Sequence, residues 1–218
     1  MKRDAASRRE KQQRTRTSLL RAAAKLFCRH GLDGASIDDV AEEAGYTKGA
    51  FYANFRNKEE LFLVMLDEKF SAELARVDAA LTGDAEPRDE ARTAAADFIH
   101  FVRSDPEWPR LYFQFASYAT RNDDFRQELA TRQRAMRERL ALIYERWTSG
   151  FDKAPALPLG DLAAMTFFMA DGFLVGQLIE PELDDDLYST MLGVFFRGLE
   201  AMAEDRTATA VATSSRPG

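Results

Sequence analysis

The sequence predicts an all-α protein, with a small helix-turn-helix domain in front and a larger helical ligand-binding and dimerisation domain behind. Three observations carry that prediction. Apolar residues recur at helical spacing through nearly every segment, with no convincing alternating strand and no internal repeat. Capping residues and glycines punctuate the chain at short intervals. The composition, 45% hydrophobic and 30% charged over 218 residues, suits a soluble globular chain with most of its apolar surface buried.

The elements follow in order. Residues 1–10 read as a flexible basic arm, and a first helix is expected from about Lys11 to His30, with Leu19, Leu20, Ala23, Leu26 and Phe27 on one face. Gly31 supplies its left-handed stop. Ser36, with Asp39 three residues on, makes a capping-box pattern for a short helix to Ala44. Gly45 makes the turn, Thr47 caps a second short helix ending near Asn54, and Asn57 with Glu60 opens a long one. Turn chemistry at 82–89, 104–109, 120–123, 149–160 and 180–185 then separates helices near 58–80, 90–103, 109–119, 124–148, 161–179 and 185–204. The boundaries predicted are therefore 11–57 for the front domain and 58–204 for the body. Residues 205–218 have too little bulk to pack and are expected to be disordered.

Charge is distributed unevenly. Residues 1–60 carry +4 and the remainder −10, within a net charge of −6. A basic head on an acidic body points to a polyanion met by the head alone. One cysteine, Cys28, allows no intrachain disulfide. The charged N-terminus has no apolar run, so no signal peptide is read, and the expected location is the cytoplasm. Leu162–Ile179 is apolar enough to suggest a membrane span. Asp171 near its centre costs about 2.5–3.5 kcal/mol on insertion scales, and a helix buried on several sides in a soluble protein is the expectation.

Three helices within about 45 residues, the second and third short and joined at a glycine, make a helix-turn-helix. Leu20, Ala24, Phe27, Ile37, Val40, Ala41, Phe51 and Phe55 form its predicted core. The segment Thr47–Phe55, "TKGAFYANF", then faces outward with small residues and few charges. Gly49 and Ala50 keep it slim for close approach to base edges. Lys48 can donate to guanine or phosphate, and Thr47 with the free helix N–H groups suits a phosphate. Tyr52, Asn54 and Lys58 can reach backbone oxygens. Ser36 completes the predicted DNA-contacting set, and Arg8, Arg9, Lys11, Arg14 and Arg16 either extend the footprint or form a solvated arm.

At Ala22–Phe62, "AAAKLFCRHGLDGASIDDVAEEAGYTKGAFYANFRNKEELF", the sequence resembles the TetR-type transcriptional repressors. Gly31, the Ser36–Ala44 helix, Gly45, Gly49, "FY" and "F-x-x-K-E-E-L" stand in register. The resemblance implies a homodimer that binds a pseudo-palindromic double-stranded operator and is released by a small molecule. It matches Lys48, Ala50 and Tyr52 to major-groove contacts, and Thr47, Tyr52, Asn54 and Lys58 to backbone contacts. Asn54 departs from the histidine frequent in the family, which removes a possible charge there.

The body offers two patterns. Seven aromatics fall among the 21 residues from Phe98 to Tyr118, against 11% for the chain. Phe98, Phe101, Trp108, Tyr112, Phe113 and Phe115, with Met136, Phe168 and Met169, are the candidates to line a site for a small hydrophobic or aromatic effector; the alternative is ordinary core packing. The last two long helices look built for self-association through Phe168, Gly172, Val175, Gly176, Ile179, Tyr188, Met191 and Phe195.

Enzymatic function is disfavoured. His30 and His100 are the only histidines, no His/Asp/Glu set has metal spacing, and no glycine-rich phosphate loop follows a strand, so no cofactor or metal is implied. The function expected is a ligand-responsive DNA-binding repressor. The alternatives are an activator or ligand-independent DNA-binding regulator and, remotely, a helical enzyme.

Overall fold

Nine α-helices and no strand make up the described residues: α1 (Lys2–Gly34), α2 (Ile37–Glu43), α3 (Lys48–Tyr52), α4 (Lys58–Ala80), α5 (Pro87–Ser104), α6 (Glu107–Ala119), α7 (Asp123–Thr148), α8 (Leu159–Ile179) and α9 (Asp185–Ser214). The computed structural model describes residues 2–83, 85–149 and 155–214, and their side chains except at 2–8, 88, 200 and 203–214. Helix positions agree with the sequence prediction to within a few residues in the interior of the chain. Both ends differ. The expected flexible arm is helical from Lys2, because nothing in "KRDAASRREKQQR" breaks a helix that α1 has already nucleated. The expected disordered tail continues α9 to Ser214, since its alanines propagate a helix at little cost; residues 215–218 lie outside the described residues.

Two compact units emerge, and their division differs from a cut after residue 57. The first comprises residues 1–70 and 105–132, the second residues 71–104 and 133–218. A three-helix domain of about 45 residues is too small to bury its own core well. In the first unit, α6 and the start of α7 supply what is missing. Phe115 is fully buried, its ring edge-on to Phe27 at 5.6 Å and 6.0 Å from Phe125. Tyr118 donates to Glu59 at 3.1 Å, and Gln114 Nε2 donates to the Cys28 carbonyl at 3.3 Å.

The second unit is organised around α5 and α9, with the remainder of α4 and α7, and α8. A buried carboxylate ties it together. Glu90 accepts from Thr82 Oγ1 and Gly83 N, each at 2.8 Å, and from Trp147 Nε1 at 2.6 Å. Burial opposes its charge, but these bonds outweigh it and hold the carboxyl below its ordinary range. Arg103 pairs with Asp185 at 2.5 Å, and Gln177 donates to the same carboxylate at 2.9 Å. Helix α8 departs from the expected burial on several sides: it is long and apolar enough to cross a membrane, yet only 33% of that window is buried. Met165, Phe168, Gly172 and Ile179 face outward, Phe168 being 57% and Ile179 79% exposed.

Candidate nucleic-acid interface and core cavity

Local chemistry sets the helix-turn-helix. Gly31, at φ 70°, interrupts α1 where the sequence places its stop. Ser36 caps α2 through a complete capping box. Its Oγ accepts from Asp39 N at 3.0 Å and bonds Asp39 Oδ2 at 2.6 Å, and its own N–H donates to that oxygen at 2.9 Å; the hydroxyl bond first, and then the N–H bond, lower the Asp39 pKa. At the other end Gly45, at φ 75°, donates to the Glu42 carbonyl while Tyr46 N reaches back to Ala41 O at 2.8 Å. Those are the two bonds of a Schellman stop, and the left-handed position explains why a glycine is needed. Thr47 caps α3 by accepting from Ala50 N at 3.2 Å. Asn57 Oδ1 accepts from Glu60 N at 2.8 Å and starts α4.

The predicted core is buried at Leu20, Phe27, Val40, Ala41, Phe51 and Phe55, whereas Ala24 and Ile37 are half-buried. Burial of Phe51 on one face of a five-residue helix turns Thr47, Lys48, Gly49 and Tyr52 to solvent. Tyr52 is 53% exposed although aromatic. The exposed face is slim: a helix is about 10–12 Å across with its side chains, and this one carries glycine and alanine after Lys48, so it suits a groove about 12 Å wide.

Electrostatics at this face favour an exchangeable cation. Lys48 Nζ donates to Asp38 Oδ2 at 2.8 Å, with both side chains mostly exposed. That bond raises the lysine pKa and keeps it charged. A pair so exposed is weakly held, and a guanine edge or phosphate can replace Asp38. The Thr47 oxygen is engaged by its cap, leaving its hydroxyl hydrogen to donate outward.

Two members of the predicted set are directed inward. Lys58 Nζ donates to the carbonyls of Leu32 and Ala35 at 2.6 and 2.7 Å, closing the end of α1. Asn54 Nδ2 donates to Ala50 O at 2.8 Å, its Oδ1 is buried without a hydrogen bond, and its carbonyl accepts from Arg16 at 3.3 Å. Arg16 also lies 4.6 Å over the Phe55 ring, so it braces the recognition segment. Arg9, Lys11 and Arg14 are exposed along the extended α1.

The aromatic cluster is divided between the units. Trp108, Tyr112 and Phe115 are buried in the first, and Phe113 is 48% exposed there. Phe98 and Phe101 are buried in the second, with Arg76 stacked 4.6 Å over Phe101. Met136 is buried and Met169 half-buried. A partly open cavity of about 50 Å³ lies within the second unit, lined by Phe98 and by Glu73, Tyr144, Thr166, Tyr188 and Phe196 among others. Of its polar residues the sequence singles out only Tyr188, and that for self-association. Only the spacing of Glu73 beside the apolar Leu74, Val77 and Leu81 could have signalled one of the others. Among the predicted association residues, Phe168, Gly172 and Ile179 are exposed, Val175, Gly176, Met191 and Phe195 half-buried, and Tyr188 buried. Among the described residues no group of three His, Cys, Asp or Glu side chains is placed to share a metal.

Residues 19–65, which span this cap-and-glycine framework, match the family model of bacterial regulatory proteins, tetR family. Over that segment the chain is similar to the TetR family. FasR from Mycolicibacterium smegmatis, an HTH-type transcriptional activator, is 32% identical over 99 residues, so the chain spans about half the length of that relative, 45% of each. In overall fold the chain resembles a TetR-family transcriptional regulator from Rhodococcus sp. (TM-score 0.72, 19% identity, covering 86% of this chain and 98% of that one). It also resembles FadR from Bacillus subtilis, solved with stearoyl-CoA (TM-score 0.67, 15% identity, 86% and 97%).

Proposed function

We propose that the protein is a homodimeric, ligand-responsive transcriptional regulator that binds a pseudo-palindromic DNA operator through α3. The observation that carries this reading is the outward face of Thr47, Lys48, Gly49 and Tyr52, held by a buried Phe51 and a capped turn. Lys48 and Tyr52 read or grip the groove, Ala50 and Gly49 give clearance, Thr47 binds a phosphate, and Ser36 sets the angle of α2. Lys58 and Asn54 support the segment from within. In the dimer two α3 helices lie about 34–36 Å apart, or a multiple of that, matching turns of B-DNA.

Dimerisation is assigned to α8 and α9. Met165, Phe168, Ile179, Leu187 and Val194 are large apolar side chains left at 41–79% exposure, and a Cβ added at Gly172 meets nothing within 4 Å. A soluble chain covers such a surface with a second copy. The effector is assigned to the second unit, whose core holds the cavity at Glu73. Its binding shifts operator affinity only through unequal affinity for the two states.

Release by the effector makes the protein a repressor. FasR is an activator, so the same machinery with the opposite sign is the second reading. The test is a titration against duplexes selected from a random pool. A two-fold symmetric footprint, abolished by Lys48→Ala with Tyr52→Ala in a protein that melts normally, is the expected result. Sequence-indifferent binding unaffected by the pair would overturn the assignment.

A further inference from the structure

The cavity of the second unit has a chemistry that selects its occupant, and this inference rests on reading that unit as effector-binding. Its walls are four aromatic rings, Phe98, Tyr144, Tyr188 and Phe196, and one carboxyl, Glu73. Phe98 and Tyr188 pack with ring centroids 4.8 Å apart. No lysine or arginine is among the lining residues. Arg76 reaches Glu73 Oε2 at 3.4 Å from outside the lining, and Glu73 Oε1 makes no hydrogen bond among the described residues. Thr166 Oγ1 donates to the Leu162 carbonyl at 3.0 Å, so Tyr144 is the donor in its 2.9 Å bond with Thr166. The Tyr144 oxygen therefore keeps a lone pair for an incoming N–H.

We propose that this cavity takes the head of an organic ammonium compound, with Glu73 as its counter-ion and the aromatic rings as its π walls. A carboxylate or phosphate head would meet Glu73 with no lining cation to neutralise it. A wholly apolar ligand would leave Glu73 Oε1 unpaired in an apolar wall, at a cost in affinity. An ammonium satisfies the carboxylate and gains from the ring faces together. At about 50 Å³ the space is a third of the roughly 150 Å³ that holds benzene, so it admits the head and first carbons, while the remaining chain leaves by the open side.

Protonation of Glu73 couples to this binding. Burial pushes its pKa up to about 7; Arg76 on its own helix opposes the rise, and Asp97 on α5 adds to it. Tyr144 on α7 and Tyr188 on α9 are held neutral by burial, and Asp171 on α8 adds a further negative charge near Tyr188. An entering ammonium favours the ionised carboxylate, so the fraction of Glu73 carrying a proton releases it to solvent on binding.

The experiment measures binding of n-hexylamine, hexan-1-ol and hexanoate to the full-length chain by calorimetry, at about pH 6 and about pH 8, where hexylamine stays protonated like lysine. Expected is an amine about tenfold tighter than the alcohol, with hexanoate weakest. Amine affinity should rise with pH while the alcohol's stays constant, and Glu73→Gln should remove both the preference and the pH dependence. Equal amine and alcohol binding, or no binding of any of the three, overturns the ammonium site. Operator release is scored in parallel. Release by the alcohol as readily as by the amine leaves the effector reading intact while sinking the ammonium class. Selective amine binding with the operator complex indifferent to it keeps the site and sinks its regulatory role.

Discussion

Replacing Gly49 by alanine should move stability and DNA affinity in opposite directions. Gly49 has no left-handed φ, and an added Cβ would meet its nearest neighbour, Thr47 Oγ1, at 3.7 Å, an ordinary van der Waals distance. Nothing in the fold therefore requires glycine there. Alanine should stabilise α3 by about 0.5–1 kcal/mol through reduced backbone entropy, a rise of about 1–4 °C in Tm for a chain of this size. The DNA side works the other way. If the backbone at 49 lies against base edges, a methyl holds α3 away and forfeits a contact of the Lys48 kind. That is about 1–3 kcal/mol, or roughly five- to 150-fold in Kd. A thermal melt and a titration against the selected duplex, on the same preparation, measure both. An unchanged Kd with a raised Tm would refute close approach at Gly49, and a lowered Tm would refute the local structural argument.

Three further changes test other parts of the molecule. Lys58→Ala removes two charge-assisted bonds to the end of α1 and should lower unfolding free energy by about 1.5–3 kcal/mol in urea; unchanged stability, with a salt slope for DNA binding shallower by about one, would return Lys58 to a phosphate role. Glu90→Gln should destabilise at neutral pH. The folded pKa of Glu90 is depressed, so its contribution is present above the unfolded value of about 4.3 and lost as pH falls through the folded value; the gap to wild type should close in acid, and a gap constant with pH would contradict this. Gly172→Phe finds open space within the chain and should leave the helical signal intact while splitting the dimer in sedimentation equilibrium, whereas an undisturbed dimer would move the interface off this part of α8.

The framework of the helix-turn-helix was legible because its signals are local. Ser36, Gly45, Thr47 and Asn57 act within four residues of themselves, so their types announce the caps and turns the structure contains. Phe51 and Tyr52 are adjacent, and helical geometry alone puts one in and one out. The roles of Lys58 and Asn54 were not legible in that way. Each bonds partners that the sequence does not rank: Lys58 the carbonyls 26 and 23 residues earlier, and Asn54 the Ala50 carbonyl. A lysine near a helix start is compatible with either use, and its distance to α1 is a tertiary fact that no local pattern carries.

The body was less legible because aromatic density marks burial without saying which core is filled. Seven aromatics between Phe98 and Tyr118 read as one cluster, yet the chain turns at Asp105, and the rings on either side of it enter different units. Phe115 is consumed in closing the small front core against Phe27 and Phe125, a demand set by that unit's size rather than by any ligand. Tyr188 shows the same ambiguity on α9. Its place in an apolar run suggests an outer seam, but the helix turns it inward, while Leu187 and Val194, seven residues apart on one face, stay exposed. A helix apolar nearly all round, as α8 is, has no period to say which face its own core takes. The side left uncovered, Met165, Phe168 and Ile179 with Gly172 beside them, becomes evident only after that core is filled, and that residual surface is the one the proposed dimer would cover.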